Sequence, residues 1–426
     1  MVKRPVHLRE AHAHIYAHGQ ELSLPNLASC GSLEECLEVV SRECARLAPG
    51  EWCLVMAARP EGWRVARWPT MRELDSAAGD RPCVVMSFDH HALAVNSAAF
   101  AACGITNDTP DPPLGVIVRE GGKPTGLLLE TAARLVRDKF PEPERAAKLE
   151  NLRRAVKDLA GHGFVEVHEM LGQPWLGPLL AELHDRGELP LKVEIYVPIA
   201  QFDNVYQGRQ AWERPGLRLA GGKIFSDGSL NSRTAWVLSE YVDPLDGHPF
   251  GKPLMTAPEI AKAIENCATR GMGLAAHAIG DGAVKACLDA AESTKRHSSA
   301  GRHPLRIEHC ELIDETDVPR FARLGVIASV QPCHLLYDIE VLTRGLPHRL
   351  NRVLPLREMI DSGLVPGKTL LFGSDVPIVR PHPEDSVRAA VERRRGEGSV
   401  GGGLSEAVAL GQAIRPEEAW AGFQVR

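Results

Sequence analysis

The fold is decided most clearly by one stretch of sequence, Gly273-Leu274-Ala275-Ala276-His277-Ala278-Ile279-Gly280-Asp281. Its first half is a short apolar run that ends in a histidine, which is typical of a buried β-strand. The glycine and the acidic residue that follow are typical of the start of a helix. The same order of apolar run, polar end and helical segment recurs along the chain. This alternation predicts a parallel sheet whose strands are joined by crossover helices.

Eight strands are predicted by working outward from this stretch. They are Val6–His12, Phe164–Glu169, Lys192–Val197, Leu219–Phe225, Gly273–His277, Leu305–His309, Val326–Gln331 and Thr369–Ser374. The helices predicted between the later strands are Ala257–Arg270, Asp281–Ala291 and Asp314–Leu324. Eight strands that alternate with helices indicate an α/β fold of the (β/α)8 TIM-barrel type.

Residues 20–150 do not follow this alternation. They contain one predicted helix, two strand-like runs and one Pro/Gly-rich segment, which are Ser32–Leu47, Trp52–Ala57, Cys83–Phe88 and Thr109–Gly126. We therefore predict a single enlarged barrel over residues 1–426, with an insertion subdomain at 20–150 between its first and second strands. The triplet Arg393-Arg394-Arg395 and the nearby Gly401-Gly402-Gly403 predict one exposed, flexible loop.

The composition is that of a globular protein with a sizeable core. Of the 426 residues, 44% are hydrophobic, and the net charge is −6. Nucleic acids and anionic membranes attract basic surfaces, so this acidic balance argues against both as partners. The sequence shows neither a run of about 18 apolar residues nor an apolar segment near the N-terminus, which predicts no membrane span and no secretory signal. Ten cysteines without a C-x-x-C pair predict reduced, buried thiols in a cytoplasmic protein.

Residues able to bind a metal stand where the predicted strands end. His12 and His14 close the first strand, and residues two apart in a strand point to the same side. His277, His309 and Asp375 follow three later apolar strands. The carboxyl ends of all strands of a (β/α)8 barrel open on one face, where active sites lie. Histidines and a carboxylate gathered there suit a borderline divalent ion such as Zn²⁺.

Lys223 lies within a predicted apolar strand, although lysines are seldom buried. One interpretation is a structural lysine that reaches solvent or pairs with Asp227. The other is a desolvated, neutral lysine able to take up CO₂ and become a carbamate ligand.

Several segments spread along the chain carry a family resemblance. They are Glu10–His14, Asp89–Ser97, Pro124–Glu130, Asp227–Ala235, His277–Asp281, Glu308–Cys310, Ser329–His334 and Gly373–Pro377. Together they resemble the amidohydrolase superfamily, specifically the YtcJ-like amidohydrolases, over about residues 8 to 420. The family carries a small β-sandwich built from both chain ends. With eleven residues before His12, we expect this flanking sandwich to be missing here.

The resemblance implies a centre of two divalent metal ions, with zinc as the first candidate. It assigns His12 and His14 to the more buried ion and His277 and His309 to the more exposed one. It completes the centre with a carboxylated Lys223 and with Asp375.

The resemblance also implies the catalytic roles. Asp375 is expected to act as general base and then as general acid. His91 is expected to face the substrate and to aid the oxyanion, although an ordinary loop histidine is an equal interpretation. Arg233 could also contact the substrate, or it could form a structural salt bridge to Asp227 or Glu240.

We therefore predict a metal-dependent hydrolase that cleaves a C–N amide-type bond in a small molecule by a metal-bridged hydroxide. N-formyl, N-acyl and cyclic amides are the candidate substrates. Alternatives are a lactonase or esterase, a mononuclear deaminase of the same superfamily, and a regulatory barrel without catalysis. A homodimer that covers the exposed flank is a further expectation.

Overall fold

The computed structural model describes residues 4–48, 50–88, 92–112, 115–245, 247–298, 305–396 and 405–425. The chain forms two compact units, of which the first comprises Met1–His18 with Leu152–Arg426 and the second comprises Gly19–Asn151. No helix in these described ranges is both long enough and apolar enough to cross a membrane.

Thirteen strands occur in the described residues. They are β1 (Leu8–Ala13), β2 (Cys53–Ala58), β3 (Cys83–Ser87), β4 (Ala92–Val95), β5 (Gly115–Glu120), β6 (Lys123–Glu130), β7 (Phe164–Glu169), β8 (Lys192–Pro198), β9 (Leu217–Phe225), β10 (Gly273–Ala278), β11 (Leu305–His309), β12 (Ile327–Val330) and β13 (Leu370–Phe372).

Fifteen α-helices accompany these strands in the same ranges. They are α1 (Ile15–Glu21), α2 (Leu33–Cys44), α3 (Met71–Ala78), α4 (Ser97–Cys103), α5 (Thr131–Arg137), α6 (Arg145–Gly161), α7 (Leu176–Asp185), α8 (Ile199–Gly208), α9 (Ala257–Ala268), α10 (Asp281–Ser298), α11 (Val318–Leu324), α12 (Leu335–Gly345), α13 (Leu356–Asp361), α14 (Pro383–Glu392) and α15 (Pro416–Phe423).

The first unit is built on an eight-stranded sheet in the order β1-β7-β8-β9-β10-β11-β12-β13. Every neighbouring pair in this sheet is parallel. The two outer strands meet as well, since Ala13 forms a parallel bridge with Val376 and the amide of Asp375 donates to the His12 carbonyl at 2.8 Å. The predicted (β/α)8 barrel with a large insertion after its first strand is therefore confirmed.

Hydrophobic periodicity located the barrel strands closely. Phe164–Glu169 and Leu305–His309 have the predicted bounds, and the others differ by a few residues at an end. Among the helices, Asp314–Leu324 was predicted too long, because α11 begins only at Val318. The amide of Thr316 donates instead to the side chain of Asp314 at 3.1 Å, which forms a turn before the helix.

The second unit is a five-stranded sheet in the order β2-β3-β4-β6-β5, in which β2 and β3 are parallel and the other pairs antiparallel. Alternate residues of its strands enter two separate apolar clusters, so both faces of the sheet are covered. The segment Thr109–Gly126, predicted only as Pro/Gly-rich, contains β5 and the start of β6. Gly121 and Gly122 join these strands with φ angles of 56° and 78°, which other residues rarely adopt.

The prediction that the arginine triplet after α14 is exposed is wrong for Arg393 and Arg395 and right for Arg394. Arg393 is fully buried and donates to the carbonyls of Val353 and Val408. Arg395 is also buried and pairs with Glu340. The long aliphatic stems of these arginines therefore pack inside the first unit, and only a contact map distinguishes this from a solvated basic run. The glycine run Gly401–Gly403 lies outside the described residues.

Candidate metal centre

The residues predicted to bind metal converge at the carboxyl ends of the barrel strands. His12 lies near the end of β1, His277 near the end of β10 and His309 at the end of β11. His14 follows β1, and Asp375 follows β13. Because β1 and β13 lie side by side, the first and last of these residues meet although they are far apart in the sequence.

Asp375 occupies the middle of the cluster. Its Oδ1 atom lies 3.0 Å from Nε2 of His14 and 3.3 Å from Nε2 of His12. The imidazole of His309 lies on the other side of His12, with 4.8 Å between the ring centroids. One donor atom from each of His12, His309 and Asp375 lies within 4.8 Å of the others. His277 extends the group, since its ring centroid is 4.5 Å from that of His309.

Two of the histidines and the carboxylate have the protonation states that metal binding requires, whereas the hydrogen bond and charge of Asp375 raise the pKa of His14 against the effect of burial. Burial lowers the pKa of His12 to about 4 and that of His309 well below its usual value, so both rings are neutral at pH 7. Burial alone would raise the pKa of Asp375, but His12, His14 and His309 hold it well below its ordinary value. Neutral imidazoles and an ionised carboxylate are the ligand forms of these side chains.

Lys223 is buried in β9, with 2% of its surface exposed. Among the described residues, its Nζ atom has no hydrogen-bond partner. Burial lowers the pKa of Lys223 to about 8, while the charges of Glu308 and Asp375 oppose this shift. An unsatisfied buried amine is costly, so this position indicates that the amine has a further partner or a modification.

The salt bridge between Lys223 and Asp227, considered from the sequence, does not occur. Asp227 instead accepts hydrogen bonds from three backbone amides, those of Trp236, Ile279 and Gly280. Its Oδ1 atom also lies 3.6 Å from Nε2 of His277. Asp227 therefore holds together the loops around His277 and leaves Lys223 without a carboxylate at its amine.

Backbone strain coincides with two of the candidate ligands. His309 has a φ angle of 73° and Asp375 one of 64°, both in the left-handed region that non-glycine residues rarely occupy. Such conformations cost about 1–3 kcal/mol each and persist where the surrounding structure imposes them, most often at functional sites. The strain therefore supports a functional role for this end of the barrel.

A buried ionic network orients His12 from inside the barrel. The Nδ1 atom of His12 donates to Oε2 of Glu308 at 2.7 Å, and Arg306 donates to the other oxygen of Glu308 at 2.5 Å. Arg306 also contacts Nδ1 of His168 at 2.7 Å, and Nε2 of His168 lies 3.2 Å from Glu166. Sequence reasoning missed the roles of Glu308 and Arg306, although Glu308 immediately precedes the candidate ligand His309.

A second carboxylate, Glu10, was also missed. It is fully buried and accepts hydrogen bonds from the His12 amide at 3.1 Å and from the Ser374 amide at 2.8 Å. Its other oxygen accepts from the Ser374 hydroxyl at 2.9 Å. Burial raises the pKa of Glu10 to about 8 despite these hydrogen bonds. Glu10 thus joins β1 to the segment that carries Asp375. The spacing Glu10-x-His12 places both side chains on one face of the strand, which was the available signal.

Glycine is required at position 373 by this arrangement. A Cβ atom there would lie 2.5 Å from Oε1 of Glu10 and 2.6 Å from the amide nitrogen of His12. Both distances are too short for any side chain, so the absence of a Cβ at Gly373 allows β1 and the Asp375 segment to approach.

Three further residues concern the surroundings of the cluster. Arg233 is about half exposed and pairs with Asp243 at 2.6 Å, and neither Asp227 nor Glu240 is its partner. His91, predicted to face the substrate, lies outside the described residues. His334 adds to the rim: its ring lies 5.8 Å from that of His309, and its Nδ1 lies 3.1 Å from Glu311. Burial opposes charge on His334, but the bond and charge of Glu311 raise its pKa to about 9.

The donor set fits a divalent metal ion. Imidazoles from the ends of β1 and β11 and the carboxylate of Asp375 after β13 bring their donor atoms together. Two nitrogen atoms of this region, Nζ of Lys223 and Nδ1 of His309, are buried without a hydrogen-bond partner in the described part of the chain. Nitrogen and oxygen donors of this kind suit Zn²⁺ and similar borderline ions.

Comparison with known proteins gives a consistent result. The sequence profile of the amidohydrolase family matches residues 8–419. The protein YtcJ of Bacillus subtilis (strain 168), named as an amidohydrolase, is 28% identical over 408 residues, which cover 94% of this chain and 75% of that protein. The N-substituted formamide deformylase of Arthrobacter pascens is 29% identical over 412 residues, covering 93% and 73%. An uncharacterised metal-dependent hydrolase from Pyrococcus horikoshii OT3 matches with a TM-score of 0.75 and 25% identity, covering 97% and 78%.

Proposed function

The chain belongs to the amidohydrolase family and is a metal-dependent hydrolase, and from this we propose that it cleaves a C–N amide-type bond in a small molecule. The observation that carries the proposal is the convergence of the neutral imidazoles of His12 and His309 on the ionised carboxylate of Asp375 at the active-site face of the barrel.

The proposed centre holds two divalent ions, with zinc as the first candidate. His12 and His14 would bind one ion, and His277 and His309 the other. Lys223, as a carbamate, and Asp375 would complete the set. Bound ions would supply Lewis acidity at the scissile carbonyl and would lower the pKa of a water molecule to about 7.

Asp375 is the proposed general base. Its carboxylate is held ionised by three histidines, so it can accept a proton from the attacking water. The water oxygen then bonds to the carbonyl carbon, and the C–N bond breaks. Asp375 returns the proton to the leaving nitrogen, which departs as an amine while the acyl part leaves as a carboxylic acid.

Two other catalytic roles proposed from the sequence depend on residues outside the cluster. His91 and Arg233 are proposed to approach the oxyanion of the reaction. For Arg233 this requires release from Asp243, an ion pair with largely exposed partners and therefore of low stability.

An amide rather than an ester is favoured by the relatives. The deformylase that is 29% identical to this chain acts, by its name, on N-substituted formamides. Small N-formyl, N-acyl and cyclic amides are therefore the proposed substrates. Assays of a panel of these amides beside matched esters and lactones test whether the enzyme prefers an amide or an ester bond. Hydrolysis of lactones with no turnover of any amide would overturn the C–N assignment.

Metal analysis of the purified protein tests the centre itself. After incubation with Zn²⁺ and bicarbonate, we expect at least about two ions per chain, the number held by the centre of a two-metal hydrolase. The His12→Ala/His14→Ala double variant should lose about one of them, whereas His7→Ala, which alters an exposed histidine close to β1, should lose none. Fewer than about one ion per chain in the loaded protein would refute the binuclear centre.

The proposed carbamate on Lys223 can be detected directly, independently of the metal content. Protein incubated with ¹³C-bicarbonate should show a carbamate carbon signal in its NMR spectrum, formed when the Lys223 amine adds to CO₂ and releases a proton. The signal should disappear in Lys223→Arg and persist in Lys368→Arg, which alters a lysine away from the centre. A signal that Lys223→Arg leaves intact would show that Lys223 is not the modified residue.

A further inference from the structure

Three cysteines of the second unit bring their sulfur atoms together. Cys44 is the last residue of α2, and Cys53 and Cys83 are the first residues of β2 and β3. Their Sγ atoms all lie within 4.8 Å of one another, and all three residues are buried. We propose that this three-cysteine cluster binds one thiophilic metal ion, separate from the proposed ions of the barrel.

The secondary structure of the unit produces this convergence. Cys53 and Cys83 are directly paired in the parallel ladder between β2 and β3, so their side chains point to the same face of the sheet. Helix α2 packs on that face, and its buried residues include Val40 and Cys44. The third sulfur therefore reaches the other two from the helix, and the three donors come from three separate elements.

The spacing suits a single ion. Zinc–sulfur bonds are about 2.3 Å long, which puts neighbouring sulfurs about 3.8 Å apart in tetrahedral coordination. The sulfur atoms already lie within 4.8 Å of one another. Small side-chain rotations that move each sulfur by less than about 1 Å would bring them to this spacing. Three soft donors select thiophilic ions over magnesium or calcium, and the fourth position remains for solvent.

Charge also favours an ion here. Each cysteine that binds releases its proton to solvent, and the positive ion then compensates the resulting thiolates. Cys44 lies at the carboxyl end of α2, where the helix dipole stabilises positive charge. The charged groups that act on Cys44 are Arg81 and Glu43, one of each sign, so a bound divalent ion would offset two of the three thiolate charges.

A surface cavity of the same unit adjoins the cluster. A surface cavity of about 460 Å³ is lined by Cys53 together with Arg42, Arg46 and Trp52. The cavity therefore lies next to one of the three cysteine residues.

Cys36 provides a matched comparison. It lies on α2 two turns before Cys44, is fully buried and belongs to the same apolar cluster. It does not belong to the group of three, so it packs as a buried thiol but does not bring its sulfur close to two others. If the three cysteines were only apolar core residues, their variants would behave like the corresponding variant of Cys36.

Cadmium is the probe for this site, because its bonds to thiolates give an ultraviolet charge-transfer band. The full chain, reduced with a thiol-free reductant, should bind one Cd²⁺ with three sulfur neighbours, as measured by X-ray absorption. Cys44→Ser, Cys53→Ser and Cys83→Ser should each lose the band, and Cys36→Ser should keep it. The His12→Ala/His14→Ala variant should also keep it, which separates this proposal from the barrel centre. A band that survives in the cysteine variants, or the absence of any Cd²⁺ ion with sulfur neighbours in the unmodified protein, would overturn the proposal.

The unmodified protein supplies a second measurement that does not depend on how the variants fold. Added Zn²⁺ should slow alkylation of Cys44, Cys53 and Cys83, mapped by mass spectrometry, at least tenfold. The rate at the half-buried Cys30 of the same unit should stay the same. Equal alkylation of the three cysteines with and without Zn²⁺ would contradict the proposal.

Discussion

The imidazole of His12 donates from Nδ1 to Oε2 of Glu308 across 2.7 Å, and its opposite nitrogen lies 3.3 Å from Asp375. The carboxylate thus fixes both the tautomer and the plane of the ring, so that Nε2 faces the centre of the cluster. Carboxylates that hold a histidine ligand in this way raise its basicity and pre-orient it for a metal ion.

Replacing Glu308 should therefore weaken metal binding without removing a ligand. In Glu308→Gln we expect the affinity for Zn²⁺ to fall about 10–100-fold, the range found when such supporting carboxylates are lost. Competition with a zinc-binding dye measures this affinity. Glu315→Gln, which changes an exposed glutamate farther along the chain, should bind as the wild type does. An unchanged affinity in Glu308→Gln would show that His12 is oriented without it.

The two proposed roles of Asp375, as metal ligand and as general base, should be separable by one substitution. Asp375→Asn keeps an oxygen donor at the cluster but cannot accept the proton of the attacking water. We expect retained metal and a fall in kcat of at least about 10²-fold, the usual contribution of a general base. Metal content and turnover are measured on the same preparation. Near-normal turnover with bound metal would exclude Asp375 as the base.

Gly373→Ala should destabilise the barrel where its first and last strands meet. The added methyl group would lie 2.5 Å from Glu10 and 2.6 Å from the His12 amide, and overpacking of this kind costs about 1–3 kcal/mol. A lower midpoint of thermal unfolding is expected. Gly208→Ala, at the end of α8, is the control because a Cβ there meets nothing within 4 Å. Equal midpoints for the two variants would contradict the steric argument.

Glu418 should make the stability of the chain depend on acid pH. The side chain of Arg415 lowers the pKa of Glu418 to about 2, and Glu418 also pairs with Arg357 at 3.0 Å. Because the pKa of Glu418 is lower in the folded protein than its usual value near 4.5, the ionised side chain stabilises the folded state at pH values above about 4.5. This stabilisation is lost as the pH falls toward 2.

Glu418→Gln should accordingly lower the stability by up to about 1 kcal/mol at pH 7, the effect of losing its ion pairs with Arg357 and Arg415. The difference from the wild type should shrink below pH 4. Thermal unfolding of both proteins between pH 7 and pH 3 measures it, with the exposed neighbour variant Glu417→Gln as the control. A difference that stays constant over this range would show that the carboxylate charge is not involved.

The barrel could be predicted from the sequence because its strands are buried on both faces. Leu305–His309 reads as a continuous apolar run, and its bounds agree with the structure. In the second unit the same reasoning failed for Lys123–Glu130, where Pro124 and Gly126 argue against a strand. That strand forms because β4 and β5 supply partners on both sides, and such long-range pairing is not encoded in local propensity.

The candidate ligands could also be predicted, since polar residues that end parallel strands share one edge. The structure brings His12, His14, His309 and Asp375 together as expected, while their binding of metal remains a prediction. Glu10, Arg306 and Glu308 could not be assigned in this way. Their roles depend on which side chains meet across the barrel interior, and one sequence does not contain that information.

The hydrogen bond between Glu10 and Ser374 joins residues that are 364 positions apart. During synthesis, a ribosome releases the first of these residues long before it adds the second, and His12 and His14 must wait for Asp375. The growing chain therefore carries half a cluster whose histidines are open to other ions and to other chains. Because β1 can meet the segment after β13 only when that segment has left the ribosome, this end of the barrel forms after most of the chain has been made.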